Sequence, residues 1–140
     1  MELSSLLVEA IGSAAEKVPG LIAAYVFGST VRCAERPRDL DIALLWDASV
    51  PVEARWRDSE RFALSVERRM PEPRNVDVVD LREAPPTLQY RILTEGRRVF
   101  DREPVQRTRF EALTLSMATD FVEWQAPYLE QWRKAVASGR

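Results

Sequence analysis

The chain has 140 residues, the size of one domain, and its 46% hydrophobic and 30% charged residues place it among ordinary globular chains rather than disordered or membrane ones. A net charge of −2 excludes a strongly basic nucleic-acid binder. The absence of histidine and the presence of a single cysteine, Cys33, exclude an imidazole base, a Ser-His-Asp triad, a disulfide framework and a Cys/His zinc site. Any catalysis must rest on carboxylates, hydroxyls, arginines and cations bound by oxygen.

In chain order, Leu3, Leu6, Leu7, Ala10, Ile11, Ala14, Ala15 and Val18 make a helical stripe over 3–18, ended by Pro19-Gly20. The apolar run 21–27 predicts a buried strand, broken at Gly28-Ser29. A short helix fits 30–35, stopped by Pro37. Residues 39–46 predict a second buried strand. Pro51 is expected at the first position of a helix over 52–70, with Val52, Trp56, Phe62, Ala63, Val66 and Met70 on its apolar face. Residues 75–80 predict a third strand. Pro85-Pro86 open a helix that Gly96 ends, and 97–100 read as a short strand. From Pro104 a long helical pattern runs to about Ala137, interrupted at Pro127. The order describes one mixed α/β (α+β) domain: a small mixed sheet flanked by helices, with a long C-terminal helix. Residues 1–103 form its body, and 104–140 its C-terminal helix.

Asp39 and Asp41 lie two apart on a strand, so both carboxylates share one face while Leu40, Ile42, Leu44 and Trp46 take the other. Such a pair can converge on divalent ions, with Mg2+ the natural choice for oxygen ligands that retain water. A solvated strand end, with Asp39 capping a turn, is the plainer alternative. Asp77 sits between Val76 and Val78 on another strand. Beside 39–46 it could join the pair, as a base for an attacking hydroxyl or as a metal ligand; otherwise it is an edge-strand carboxylate. Gly28-Ser29 leads from a strand into a helix, which suits phosphate approaching the backbone or a simple capped turn. Arg32 could pair with phosphate oxygens, or with Glu35 at the surface. Cys33 reads as a small buried hydrophobe, and Asp80 as the cap of the following turn.

The stretch 28–45 (GSTVRCAERPRDLDIALL) followed by 76–81 (VDVVDL) resembles the minimal nucleotidyltransferases of the DNA polymerase β-like superfamily. The stretches 76–100 and 120–129 (DFVEWQAPYL) are similar to the MNT-domain antitoxins, so the likeness spans about 4–133. It implies a polymerase β-like fold and transfer of AMP from ATP to a hydroxyl. Gly28, Ser29 and Arg32 would hold the nucleotide. Asp39, Asp41 and Asp77 would be the catalytic and Mg2+-binding carboxylates. The implied partner is a HEPN-domain ribonuclease toxin, silenced by AMP on a tyrosine. Val31-Arg32-Cys33 stands where these relatives carry Ala-Arg-Gly, and the loop before Asp39 is one residue shorter. Two other readings remain: an antitoxin that acts by docking alone, and a small-molecule transferase of the aminoglycoside type.

Phe121, Trp124, Tyr128 and Trp132 recur at helical spacing. Phe110, Leu113, Met117 and Phe121 are expected to pack on the body. The aromatic residues from Pro127 onward are expected to meet a partner, either a toxin or a second copy. Met1-Glu2 lacks the basic start of a signal peptide, and no apolar run approaches ~20 residues, so a cytoplasmic protein without membrane or direct nucleic-acid partners is expected.

Overall fold

The computed structural model describes residues 4–28, 39–71 and 75–138. Its elements are α1 (Ser5–Glu16), β1 (Leu21–Phe27), β2 (Asp39–Trp46), α2 (Val52–Arg69), β3 (Asn75–Asp80), α3 (Pro86–Glu95), β4 (Arg97–Asp101) and α4 (Pro104–Ala137). The short helix expected over 30–35 lies outside the described residues, as do Ser29, Arg32 and Cys33.

The strands form one mixed sheet in the order β3-β2-β1-β4. β1 is antiparallel to β2 and to β4, whereas β2 and β3 run parallel. Residues of α1 and α2 cover one face, where Ile11, Phe62 and Val66 meet Leu40, Ile42, Leu44 and Trp46. The other face packs Tyr25, Phe27, Ala43 and Leu45 against Leu81 and Ile92, with Phe110 of α4 at the margin. β1 is buried along its whole length because it is central and covered on both sides, which is why it reads as a continuous apolar run. A register shift between Leu21 and Ala23 lets the adjacent Ile22 and Ala23 join the same core.

Helix ends follow local chemistry. Ser4 caps α1 by accepting from Leu7 N–H at 3.2 Å. Gly20, at φ +84°, turns the chain into β1. Pro51 is the N-cap of α2, one position before the expected one. The last turn of α1 has no basic residue, although its C-cap is Lys17. Arg102 supplies the charge from the far end of β4, donating to the carbonyls of Ala15, Glu16, Val18 and Leu21.

Four side-chain expectations fail, the first at Val52, which is 51% exposed at the start of α2. Trp56 is 69% exposed on α2, and the buried residue beside it is Arg55. Leu113 and Met117 are 65% and 64% exposed, because the buried position on that stretch of α4 is Ala118. A periodic apolar pattern marks a helix but does not say which edge of a broad stripe the body will cover. α4 continues through Pro127 as one 34-residue helix of about 51 Å at 1.5 Å per residue. The proline forfeits the bond to the Glu123 carbonyl, a small loss where that residue is open to water. Among the described residues, no helix is long and apolar enough to cross a membrane.

Candidate active site

The site begins with the strand register. Asp41 is level with Asp77 on the parallel neighbour β3, and Asp39 is level with Asn75. Paired strands lie about 4.8 Å apart, so Asp77 stands beside the Asp-x-Asp pair, on the same face. That face is the one carrying Ala43 and Leu45, while Leu40 and Ile42 point into the α1–α2 core. On the other side of β2, Asp41 is level with Phe27, the last residue of β1.

Gly28 follows immediately at φ +77°. A Cβ there would collide with Asp41 Oδ2. Glycine is therefore required twice, by the backbone angle and by the carboxylate lying against the turn. Gly28 and the Asp-x-Asp strand, whose first acid is eleven residues further along the chain, thus meet as neighbours.

The electrostatics are those of carboxylates brought close together. The Asp41 carboxyl is pushed above the usual range, first by partial burial and then by the negative charges of Asp77 and Asp39. Asp77 accepts, among the described residues, only a long 3.5 Å bond from Asn75 Nδ2. Among the described residues, no arginine or lysine pairs with Asp41 or Asp77. Carboxylates held together against their own repulsion are a donor set that a hard cation relieves. Among the described residues, however, no group of three Asp, Glu, His or Cys side chains is already gathered into a ligand set. That arrangement suits Mg2+, which keeps several waters and shares its coordination with substrate phosphates rather than needing an all-protein cage.

Asp80 does not belong to this cluster. Its Oδ1 accepts Arg82 N–H at 3.0 Å and its Oδ2 accepts from Arg55 at 3.1 Å, so it caps the turn after β3 as expected and anchors the buried Arg55. A polar network not foreseen from the sequence lies behind the site. Tyr25 Oη donates to Glu111 at 2.6 Å, and Arg107 bridges Glu111 (3.2 Å) and Asp101 (2.8 Å). Burial and the Glu111 carboxylate push the Tyr25 phenol far up, so it stays a donor. The only signal for it was a hydroxyl in an otherwise apolar strand, which must find a partner when buried.

Residues 9–105 match the family described as polymerase beta, nucleotidyltransferase. The chain belongs to that family. Its fold agrees with a chain in the structure of a tri-AMPylated Shewanella oneidensis HEPN toxin in complex with MNT antitoxin, at TM-score 0.67 and 23% identity, covering 94% of this chain and 99% of that one. A toxin–antitoxin complex with AMP-PNP contains another chain of this fold, at TM-score 0.58 and 22% identity, with 98% of each chain covered. In sequence, the protein adenylyltransferase MntA of Shewanella oneidensis is 29% identical over 103 residues, 73% of this chain and 69% of the relative. The family model ends near the start of α4.

Proposed function

We propose that the chain is a Mg2+-dependent protein adenylyltransferase that acts in the cytoplasm as an antitoxin, moving AMP from ATP to a tyrosine of a cognate HEPN-domain toxin. The observation that carries this reading is the register of Asp41 with Asp77, with Asp39 on the same face and Gly28 against the Asp41 carboxylate. The family membership supports nucleotidyl transfer, the MntA relative supports adenylylation of a protein, and the tyrosine comes from the resemblance to the MNT-domain antitoxins.

In this reading, residues 1–103 carry the chemistry and 104–140 serve the partner. Gly28, Ser29 and Arg32 hold the triphosphate. Asp39, Asp41 and Asp77 are the Mg2+ ligands, and Mg2+ would supply charge neutralisation for the triphosphate and the leaving pyrophosphate. The acceptor oxygen forms a bond to the α-phosphorus as the bond to the bridging oxygen breaks and pyrophosphate leaves. The hydroxyl proton goes to a carboxylate, and Asp77, level with Asp41 and loosely held, is placed to take it.

The test is label transfer in native-host lysate with Mg2+, comparing ATP labelled at the α-phosphate with ATP labelled at the γ-phosphate. Label from the α position alone, on a HEPN-domain protein and absent with Asp41→Asn, is the expected result. A stable complex with no transfer from either position would replace catalysis by docking alone. Transfer to an aminoglycoside without a protein acceptor would move the reading to a small-molecule enzyme.

A further inference from the structure

At the far end of the sheet from the carboxylates, a cavity of about 350 Å³ opens between α3 and α4, lined by Pro86, Phe110, Met117 and Phe121 with Arg82 at its side. Asp41 and Asp77 stand near the starts of β2 and β3, whereas Arg82 follows the end of β3. An occupant of this cavity therefore leaves the catalytic end open.

The cavity continues into a ladder of exposed rings. Phe121 lies 6.4 Å from Trp124, and Trp124 lies 5.3 Å from Tyr128. Trp124, Tyr128 and Trp132 are each more than 60% exposed. Arg82 is the one charged group lining the apolar cavity. Its Nε donates to the Trp46 carbonyl and its guanidinium sits 5.0 Å over the Phe110 ring. Among the described residues its Nη atoms donate to no side chain, and burial with the neighbouring Arg55 charge weakens its hold on its proton, which the nearby Asp47 and Asp80 carboxylates offset only in part. The groove thus asks for an apolar segment bearing one carboxylate.

A second copy is the competing occupant, which the dimer measurement below tests. At 100° per residue, Glu123 and Glu130 of α4 lie across the helix from the Trp124–Tyr128–Trp132 ladder, whereas Asp120 lies about 40° from Trp124. A copy docked ladder to ladder would turn the two glutamates away from Arg82.

We propose that this groove and ladder are the docking surface for the toxin, entered by an apolar helix of the toxin whose single acidic side chain pairs with Arg82. This rests on the adenylyltransferase reading and names where its partner is held. The aromatic rings supply the binding energy, and the Arg82 pair fixes register in a desolvated groove.

The experiment uses the purified HEPN-domain protein that takes the label, with steady-state transfer kinetics and direct binding. Trp124→Ala combined with Trp132→Ala should raise KM for the toxin by about 30-fold. Arg82→Glu should raise it by about 10-fold, and lysine in place of one toxin acid should restore binding to Arg82→Glu but not to the wild type. KM for ATP, and kcat at saturating toxin, should stay within about twofold, since no group at the carboxylate end is touched. Transfer by these variants with an unchanged toxin KM would overturn the docking proposal and leave the catalytic reading intact. So would a wild-type dimer that the tryptophan variants dissociate without loss of toxin binding. A wild-type chain that neither labels nor binds any HEPN-domain protein would end both.

Discussion

Asp77 and Asp80 stand three residues apart on β3, and their surroundings are opposite. Asp80 accepts from Arg55, whose Nε is itself bonded to the Val50 carbonyl, and from the Arg82 backbone. Asp77 is level with another carboxylate and has only Asn75 to donate to it among the described residues. One end of the β2–β3 pair neutralises its acid, and at the other Asp41 and Asp77 stand level without an arginine or lysine partner among the described residues. A fold bears the second arrangement only at some loss of stability, which is why we assign the acidic end to function and the arginine-paired end to structure.

Substitution at each end breaks or confirms that division most strongly. Asp41→Asn should lower adenylyl transfer on the order of a thousandfold while leaving thermal stability equal or higher, because it removes one repelling charge. Arg55→Ala should do the reverse. Arg55 is 7% exposed and Asp80 retains some solvent contact, so the loss is about 2–3 kcal/mol of stability, with kcat kept by the folded fraction. Chemical denaturation alongside transfer kinetics separates the two. An Asp41→Asn chain that unfolds, or an Arg55→Ala chain that folds but has lost kcat, would contradict the division.

The two positive-φ glycines sharpen it. Gly28→Ala forces a Cβ into the Asp41 carboxylate, and Gly20→Ala forces one against the Val50 side chain. Both should lose about 1–2 kcal/mol, since each backbone sits where L-residues are strained. Only Gly28→Ala should also lose transfer, by about a hundredfold, because only there does the displaced group belong to the site. Equal loss of activity in both variants would mean that strain, rather than the carboxylate contact, sets the effect.

Much of this was written locally in the chain. Apolar runs marked β1 and β2, Pro and Gly punctuation set off β3 and β4, and the two-residue spacing of Asp39 and Asp41 fixed their common face. The partnership with Asp77 was legible only as a condition, because strand order is a tertiary property and β3 had to lie beside β2. Arg102 and Arg55 were not legible. Each acts on groups far away in sequence, and an arginine in a polar stretch looks like any surface charge. Leu113, Met117 and Trp56 were misplaced because they sit at the edge of broad apolar stripes, where the neighbouring Ala118 and Arg55 take the buried position instead.

A smaller effect tests whether the polar network behind the site is structural. Tyr25→Phe removes the donor to Glu111 but leaves Arg107 on the same carboxylate. The expected loss is about 1 kcal/mol by denaturant melting, with kcat unchanged, because the hydroxyl is directed at α4 rather than at the acids. A fall in kcat without a change in stability would instead join Tyr25 to the catalytic end.

The smallest effect, and the most specific to the acidic end, is in pH. Because the folded Asp41 carboxyl lies above its ordinary value of 3.8, the native chain holds that proton more tightly than the unfolded chain. Stability contributed by this group is greatest below 3.8 and is lost as pH rises through the raised folded value. Asp47 runs the other way, since hydrogen bonds from Ser49 hold its carboxyl low and its contribution disappears on acidification. The Asp41 term, with its coupling to Asp77 and Asp39, is therefore read as a difference between wild type and Asp41→Asn, in which the distant Asp47 cancels. The variant's advantage should be least below pH 3.8, grow as the wild-type carboxyl ionises, and then level off. Mg2+ favours the ionised form, so adding it should shrink that advantage by stabilising the wild type and leave Asp41→Asn nearly unmoved. This outcome needs no acceptor and no turnover. A pH-independent difference would remove the repelling cluster, and with it the physical reason for placing a cation among these three acids.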